Sequence, residues 1–486
     1  MNKFWTTETN LTTPLHLFNP DRGEFHFTEM PIMTQAERPP TKEELLEKAK
    51  QPAKDAMKLH PYYKGKIQTI PKCIIRGFDD FAIWYTPGVA APCRDIQANP
   101  EKVWDHTNKA NMIAVVTDGS RVLGLGNIGP EASLPVMEGK SLIFKYLGGV
   151  DAVPIALNTQ DPENFIRATK LLEPAFGGIN LEDISKPKCF NILHRLKTDM
   201  KIPVFHDDQQ GTATIILAGL MGALRFVGKS LDQVQIAMLG VGAANTCTAE
   251  LLIEAGVPAG NIILCDRDGL LYKGREDLKA MKDDEHEKYD LAILTNEEQR
   301  SGDFGEALRG ADVCISASAP IPGLIKKEWI KKMAKDAIVF ACANPLPEIW
   351  PWEAKEAGAK VVGTGRSDFD NQINNSLGFP AIFRGALDVR AMEITDEMCI
   401  AAASRLADLA EERGLREDYV IPSMEEWELY PAEAVAVGMK AIEQGIARKE
   451  WEEKELLAHA TKIIKQSIDV TQSLMNNGFI PKAPGV

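Results

Sequence analysis

Residues 234–266 run in a fixed order: an apolar stretch, a glycine turn, a helix-forming stretch, and a second apolar stretch that ends in an acid. The turn is Gly240-Val241-Gly242-Ala243-Ala244-Asn245 and the acid is Asp266. Two short buried strands joined through a helix must lie parallel, and such a crossover is right-handed. The same rhythm continues with apolar runs at 311–316, 337–341 and 360–363. It predicts an α/β domain with a Rossmann-type, doubly wound parallel sheet that takes its ligand at the carboxyl ends of the strands.

The turn carries the chemistry. Gly240 and Gly242 let the chain close and approach a pyrophosphate, and Ala243 and Ala244 open the helix whose N-terminus stabilises the phosphate charge. Asp266 then takes the adenosine ribose hydroxyls, which favours NAD because a carboxylate repels a 2′-phosphate. Arg267 beside it can accept that phosphate, so NADP remains open. Asn245 replaces the third glycine and predicts looser helix–strand packing. A letter-perfect G-x-G-x-x-G also occurs at Gly124–Gly129, but Pro130 and Pro135 follow it. Pro135 falls where a phosphate-binding helix should run uninterrupted, so this match is read as a decoy.

An earlier α/β unit precedes this one. Apolar runs at 111–118 and 152–157 flank a helical stretch at 137–147, and strands ending at Ile179 and Phe205 follow. A long apolar helix at 212–227 leads out to Gly228. The expected organisation is a polar arm over 1–40, a substrate- and metal-binding domain over 41–228 and the dinucleotide domain over 229–395. A helical region over 396–486 would pack back on the catalytic domain or on a second subunit. A chain of 486 residues exceeds one compact core and suits two or three domains.

The net charge of −14 argues against a nucleic-acid partner. No uninterrupted apolar run reaches the about 20 residues of a membrane span, and no signal-peptide pattern opens the chain. Eight scattered cysteines without a C-x-x-C pair suit reduced, buried thiols in the cytoplasm.

Two acid pairs mark the first unit: Glu182 and Asp183, then Asp207 and Asp208, each just beyond an apolar run. Taken singly, such acids are commonly solvated loop residues or helix caps. Together, at neighbouring strand ends, they make an oxygen-rich cage for a hard divalent ion, Mg²⁺ or Mn²⁺.

From about residue 80 to 393 the chain resembles the malic enzymes, in the short form of bacteria and archaea. The likeness rests on Tyr85-Thr86-Pro87-Gly88-Val89, Val116-Thr117-Asp118-Gly119, Val136-Met137-Glu138-Gly139-Lys140 and Gly177-Gly178-Ile179-Asn180-Leu181-Glu182-Asp183. It continues through Phe205-His206-Asp207-Asp208-Gln209-Gln210-Gly211, Cys342-Ala343-Asn344-Pro345 and Asn371-Gln372-Ile373-Asn374-Asn375.

The resemblance implies that Glu182, Asp183 and Asp208 ligate the metal, with Asp207 beside Lys140. It implies Lys140 as the base that takes the malate hydroxyl proton while hydride leaves for NAD(P)⁺, with that lysine's pKa depressed by burial or metal. Tyr85 would be the acid that delivers a proton to the enol carbon, giving pyruvate. Asn344 and Asn375 would hold substrate carboxylates, and Asn374 would lie nearer the nicotinamide ribose. Longer forms carry an Arg-Pro-Arg-Gly-Leu-like segment absent here between Pro92 and Asn111, which leaves the carboxylate grip unassigned. Short-form relatives are dimers in which the neighbour can supply the tyrosine, so a homodimer or higher homo-oligomer is implied. The alternatives are a metal-dependent NAD(P) dehydrogenase of another 2-hydroxy acid, such as tartrate, and a non-catalytic dinucleotide-binding regulatory protein.

Overall fold

The computed structural model describes residues 17–18, 25–26, 42–366 and 368–485. By internal contacts the chain divides into a small unit, 1–57, and a large one, 58–486. Of the arm expected over 1–40, the structure describes only strands β1 (Leu17–Phe18) and β2 (Phe25–His26), which pair antiparallel; the rest lies outside the described residues. Helix α1 spans Lys42–Tyr63.

The large unit holds two sheets. The first has the order β4-β3-β5-β6, all parallel. Its strands are β3 (Met112–Thr117), β4 (Asp151–Ala156), β5 (Gly178–Leu181) and β6 (Val204–His206). The apolar residues of β3, β5 and β6 are buried on both faces, as parallel strands covered by helices require: Ile113 to Val116, Ile179, Leu181 and Phe205 are all at 0% exposure, while the edge strand β4 is half-buried. Strand order reverses direction between β3 and β5, so a crevice opens at their carboxyl ends.

The second sheet has the order β12-β11-β10-β7-β8-β9. Here β7 is Ile236–Leu239, β8 Ile262–Asp266, β9 Gly269–Leu270, β10 Val313–Ser316, β11 Ile338–Ala341 and β12 Val361–Thr364. Counted from β7 this is the doubly wound order of dinucleotide-binding domains, with only the short β9 antiparallel. Its reversal lies between β7 and β10, which puts the fingerprint turn at the mouth of the crevice.

Helix α2 (Pro130–Gly148) corrects the reading of Pro135. The helix begins directly after Gly129 and contains Pro135. The proline sits early in the helix, and the carbonyl it leaves without a partner belongs to Glu131, an exposed residue where water can replace the bond. The perfect glycine match is nonetheless not the dinucleotide turn, because it follows β3 in the other sheet.

Helix α3 (Thr212–Val227) joins the two sheets. By length and hydropathy the stretch Asp207–Val227 passes for a membrane span, yet most of it is buried in the core. Helices α4 (Phe379–Asp388), α5 (Asp396–Glu412), α6 (Leu429–Glu443) and α7 (Glu453–Asn476) complete the core, α5 against α3 and α7 against α2 and α6. Phe144, Phe205, Phe379 and Phe383 interlock beneath the first sheet's crevice, with centroids 4.5 to 5.7 Å apart. Six of the eight cysteines are buried or half-buried and free; Cys73 and Cys93 are exposed, against the expectation of buried thiols.

Candidate active site

The strand ends of the first sheet deliver the acids. β5 runs directly into Glu182 and Asp183, and β6 into Asp207 and Asp208, because β5 and β6 are paired neighbours. One carboxylate oxygen from each of Glu182, Asp183 and Asp208 lies within 4.8 Å of the other two. The Asp183 N–H donates to Asp208 Oδ2 at 2.8 Å, which stitches the two turns together. Asp183 adopts a left-handed backbone, φ 56°, a strained state for a residue with a Cβ.

Asp207 to Gly211 form a wide π-type turn, a form that recurs at functional sites. Gly211 is required there, since an added Cβ would lie 2.1 Å from Asp207 Oδ1. Lys140, on α2, reaches between the turns: its ammonium pairs with Asp207 and lies 3.1 Å from Glu182 Oε1. The Phe379 ring sits 4.4 Å beneath it. Asn375 donates its amide to the same Asp207 oxygen that Lys140 holds.

Burial and crowding act on all of these groups. Burial, then the neighbouring acids, hold Glu182 well above the carboxylate range and push Asp183 up to about 8. Asp183 Oδ2 is buried without a hydrogen-bond partner among the described residues. An orphaned buried oxygen within a trio of crowded, buried acids fits a divalent cation, and oxygen-only donors suit Mg²⁺ or Mn²⁺. The expected depression of Lys140 is reversed. Burial pulls its pKa down, but Asp207, Glu182 and Asp208 outweigh it and hold the group as an ammonium.

The cofactor side departs from expectation in two places. Asn245 does not loosen the packing; fully buried, it donates its amide to the carbonyls of Leu239 and Gly240, at 2.8 and 3.0 Å, and ties the helix to the strand end. Asp266 is not free. Arg275 donates to one oxygen at 2.8 Å and the Lys288 ammonium lies 2.6 Å from the other, so its charge is balanced by two cations that the motif does not reveal. Arg267 instead points to solvent beside Asp268.

Gly240, with φ 97°, lies so close to Ala317 and Ser318 that a side chain there would strike them. Ala243 and Ala244 begin the helix after the turn. From the other sheet, Lys186 donates to the Val241 carbonyl at 3.0 Å, so the loop after Asp183 touches the fingerprint. Asn344 and Asn374 both meet Gly365: the Asn374 amide donates to its carbonyl at 2.8 Å, and the Asn344 amide nitrogen packs against its Cα.

One residue was missing from the sequence-based picture, and one that it names makes no bond to this chain's own cluster. Arg121, in the loop after β3, donates its N–H to the Asp183 carbonyl at 3.0 Å, and its charge helps offset the rise in Asp208. Adjacency to Val116-Thr117-Asp118-Gly119 was the signal available for it. Tyr85 does not join the cluster: it is 70% exposed, and no hydrogen bond links it to Lys140 among the described residues. It lies in an apolar strip that is equally open, with Phe78 91%, Ile74 62% and Ile83 56% exposed.

A crevice of acids around a buried lysine, set against the switch point of a dinucleotide-binding sheet, defines a two-domain nicotinamide-dependent oxidoreductase. Residues 64–197 match the N-terminal domain of malic enzyme, and residues 209–444 match the malic enzyme NAD-binding domain. The chain belongs to the malic enzyme family. It is 49% identical over 409 residues to the bifunctional malic/malolactic enzyme of Bacillus subtilis (strain 168), covering 84% of this chain and 98% of that one. It is 48% identical over 389 residues to the NAD-dependent malic enzyme of Geobacillus stearothermophilus, covering 79% and 78%. The crystal structure of Entamoeba histolytica malic enzyme superposes with a TM-score of 0.88 at 44% identity, covering 91% of this chain and 93% of that one.

Proposed function

We propose that the chain oxidises L-malate and decarboxylates the product to pyruvate and CO₂ while reducing NAD(P)⁺. The observation that carries this reading is Lys140 suspended between Asp207 and Glu182 at the mouth of the acid crevice. A base aimed at a substrate hydroxyl and a cage for a divalent ion are the two elements that both half-reactions need.

Glu182, Asp183 and Asp208 would hold Mg²⁺ or Mn²⁺, which when bound polarises the hydroxyl and offsets charge on oxygen as the distal carboxylate leaves. Lys140 takes the hydroxyl proton, and it reaches the free-base form only when its carboxylate neighbours are engaged elsewhere. Asp207 orients the lysine and, through Asn375, links it to the substrate carboxylate. Asn344 holds the same substrate, Arg121 supplies the cationic grip that the missing long-form segment would have given, and Asn374 contacts the nicotinamide ribose. Asp266 binds the adenosine ribose, and the cations around it admit both NAD⁺ and NADP⁺.

Tyr85 protonates the enol carbon in the site of a second copy. Its exposure within an apolar strip, larger than single scattered surface residues would make, supports a homodimer built on that face. Free, unpaired cysteines support a cytoplasmic enzyme. Steady-state assays of L-malate with NAD⁺ and NADP⁺, with Mn²⁺ or with EDTA, test the reading: pyruvate and CO₂ in equal amounts with metal, and none with EDTA, are expected. Full turnover after metal stripping, or preference for tartrate, would reject it.

A further inference from the structure

The loops that follow β10 and β11 converge on one carboxylate that no step above uses. Glu348 is at 0% exposure. Its Oε1 accepts from Ser316 Oγ at 2.6 Å, from the Ser318 N–H at 2.9 Å and from Ser318 Oγ at 3.1 Å. Its Oε2 accepts from the Ala343 N–H at 3.1 Å. The Glu348 carbonyl also accepts from the N–H groups of Gly323 and Ile325. Burial raises the Glu348 pKa, and the hydroxyls and backbone N–H groups that oppose the rise are gathered from two loops.

Those loops are the working edge of the dinucleotide sheet. Ser316 and Ala341 are opposite each other at the ends of paired parallel strands. Ser318 packs on Gly240 of the fingerprint turn, where an added Cβ would sit 3.1 Å from its own. Ala343 immediately precedes Asn344, and the Gly124 turn of the first sheet abuts Pro320 and the Asn344 carbonyl. One carboxylate therefore spans the point where the cofactor turn, the substrate asparagine and the first sheet's loop meet.

We propose that Glu348 is a positioning residue that locks the Ser318 and Asn344 loops in one register, setting the cofactor cleft and the substrate grip together. Both oxygens are needed as acceptors. Glutamine in its place would keep one acceptor but turn an amide donor toward the Ala343 N–H or the serines, and a donor facing a buried donor leaves both unsatisfied. The malate half of the proposal rests on the reading of Asn344 as a substrate ligand; the cofactor half does not.

The test uses the full-length enzyme, with NADH fluorescence titration, malate KM and kcat, and thermal unfolding measured side by side. Glu348→Gln is expected to unfold cooperatively and to raise both the NADH dissociation constant and the malate KM about tenfold. Ser316→Ala, which removes a single donor, is expected to move both in the same direction by about threefold. If Glu348→Gln does not fold, Ser316→Ala decides alone. Folded variants that bind NADH with the wild-type constant would overturn the proposal, even where the melting temperature falls, because that is all a merely structural carboxylate would show. Asn344→Ala separates the two readings: an unchanged malate KM there removes the substrate role of Asn344, while the NADH constant of Glu348→Gln still judges Glu348.

Discussion

Lys140 and Asp207 form a buried ion pair, the lysine side chain 9% exposed and the aspartate 0%. The lysine comes from the helix after β3 and the aspartate from the end of β6, so the pair exists only when the whole first sheet has formed. Removing Lys140 should slow malate oxidation by about 10²- to 10⁴-fold, the range of a lost general base. In Asp207→Asn the lysine loses its strongest carboxylate neighbour, its pKa falls, and the acid limb of the kcat–pH profile moves to lower pH. An unmoved limb would show that the pair is not the titrating unit.

Metal affinity should depend on pH through Asp183. Its folded pKa is about 8, above the usual 3.8, so at neutral pH the metal-free site holds a proton there. That proton must leave for the carboxylate to ligate. Mn²⁺ affinity, followed by electron paramagnetic resonance, is expected to rise from pH 6 through pH 8 and to level only about one pH unit above the Asp183 pKa. A flat profile over that window would mean that Asp183 is not a ligand.

Tyr85 should act across the subunit interface. Tyr85→Phe and Lys140→Ala each disable a site, but a mixed dimer has one site with both residues intact. Subunit exchange between the two variants is expected to restore roughly a quarter of wild-type activity, since half of the dimers are mixed and each has one working site. No recovery, with exchange demonstrated, would place the tyrosine in its own subunit's site or outside the reaction.

Cofactor choice should turn on Lys288. Its ammonium lies 2.6 Å from Asp266 and removes the repulsion that a bare carboxylate exerts on a 2′-phosphate. Lys288→Ala is expected to lower kcat/KM for NADP⁺ relative to NAD⁺ by about tenfold. An unchanged ratio would leave Asp266 without influence on selectivity.

His206 should make the metal-free fold sensitive to acid. Burial lowers its pKa from 6.5 to about 4, and neither ring nitrogen has a hydrogen-bond partner among the described residues. A depressed folded pKa means that the unfolded chain takes up the proton first as pH falls. The stability from keeping the ring neutral is therefore full above pH 6.5 and is lost progressively toward pH 4. Urea unfolding with EDTA is expected to show about 2 kcal/mol lost between pH 7 and pH 5 from this residue. His206→Gln should lack that component; equal losses in both proteins would contradict the assignment.

Local pattern made much of this legible. The helix at Thr212–Val227 and the second-sheet strands lie where apolar periodicity and glycine stops put them, within a few residues at the ends. The meeting of Glu182, Asp183 and Asp208 was also readable, since neighbouring parallel strands bring their carboxyl ends together. Pro135 was misread because a proline early in a helix leaves only an exposed carbonyl without a partner, a fact that depends on where the helix starts. Asn245 was misread because its side chain bonds back to the strand instead of merely filling a glycine's place.

The sequence alone determined the α/β class, the glycine turn that follows β7, the acid pairs and the lysine that lies beside Asp207. Those depend on local spacing, on strand and helix periods, and on residue chemistry. Only the tertiary structure decided the pairing of Lys140 with two carboxylates, the two cations on Asp266, the exposure of Tyr85 and the reach of Glu348 across two loops. Each of these is a balance among groups brought from distant parts of the chain. Burial and Coulomb energy depend on where such groups finally lie, and no short stretch of sequence contains both sides of the balance.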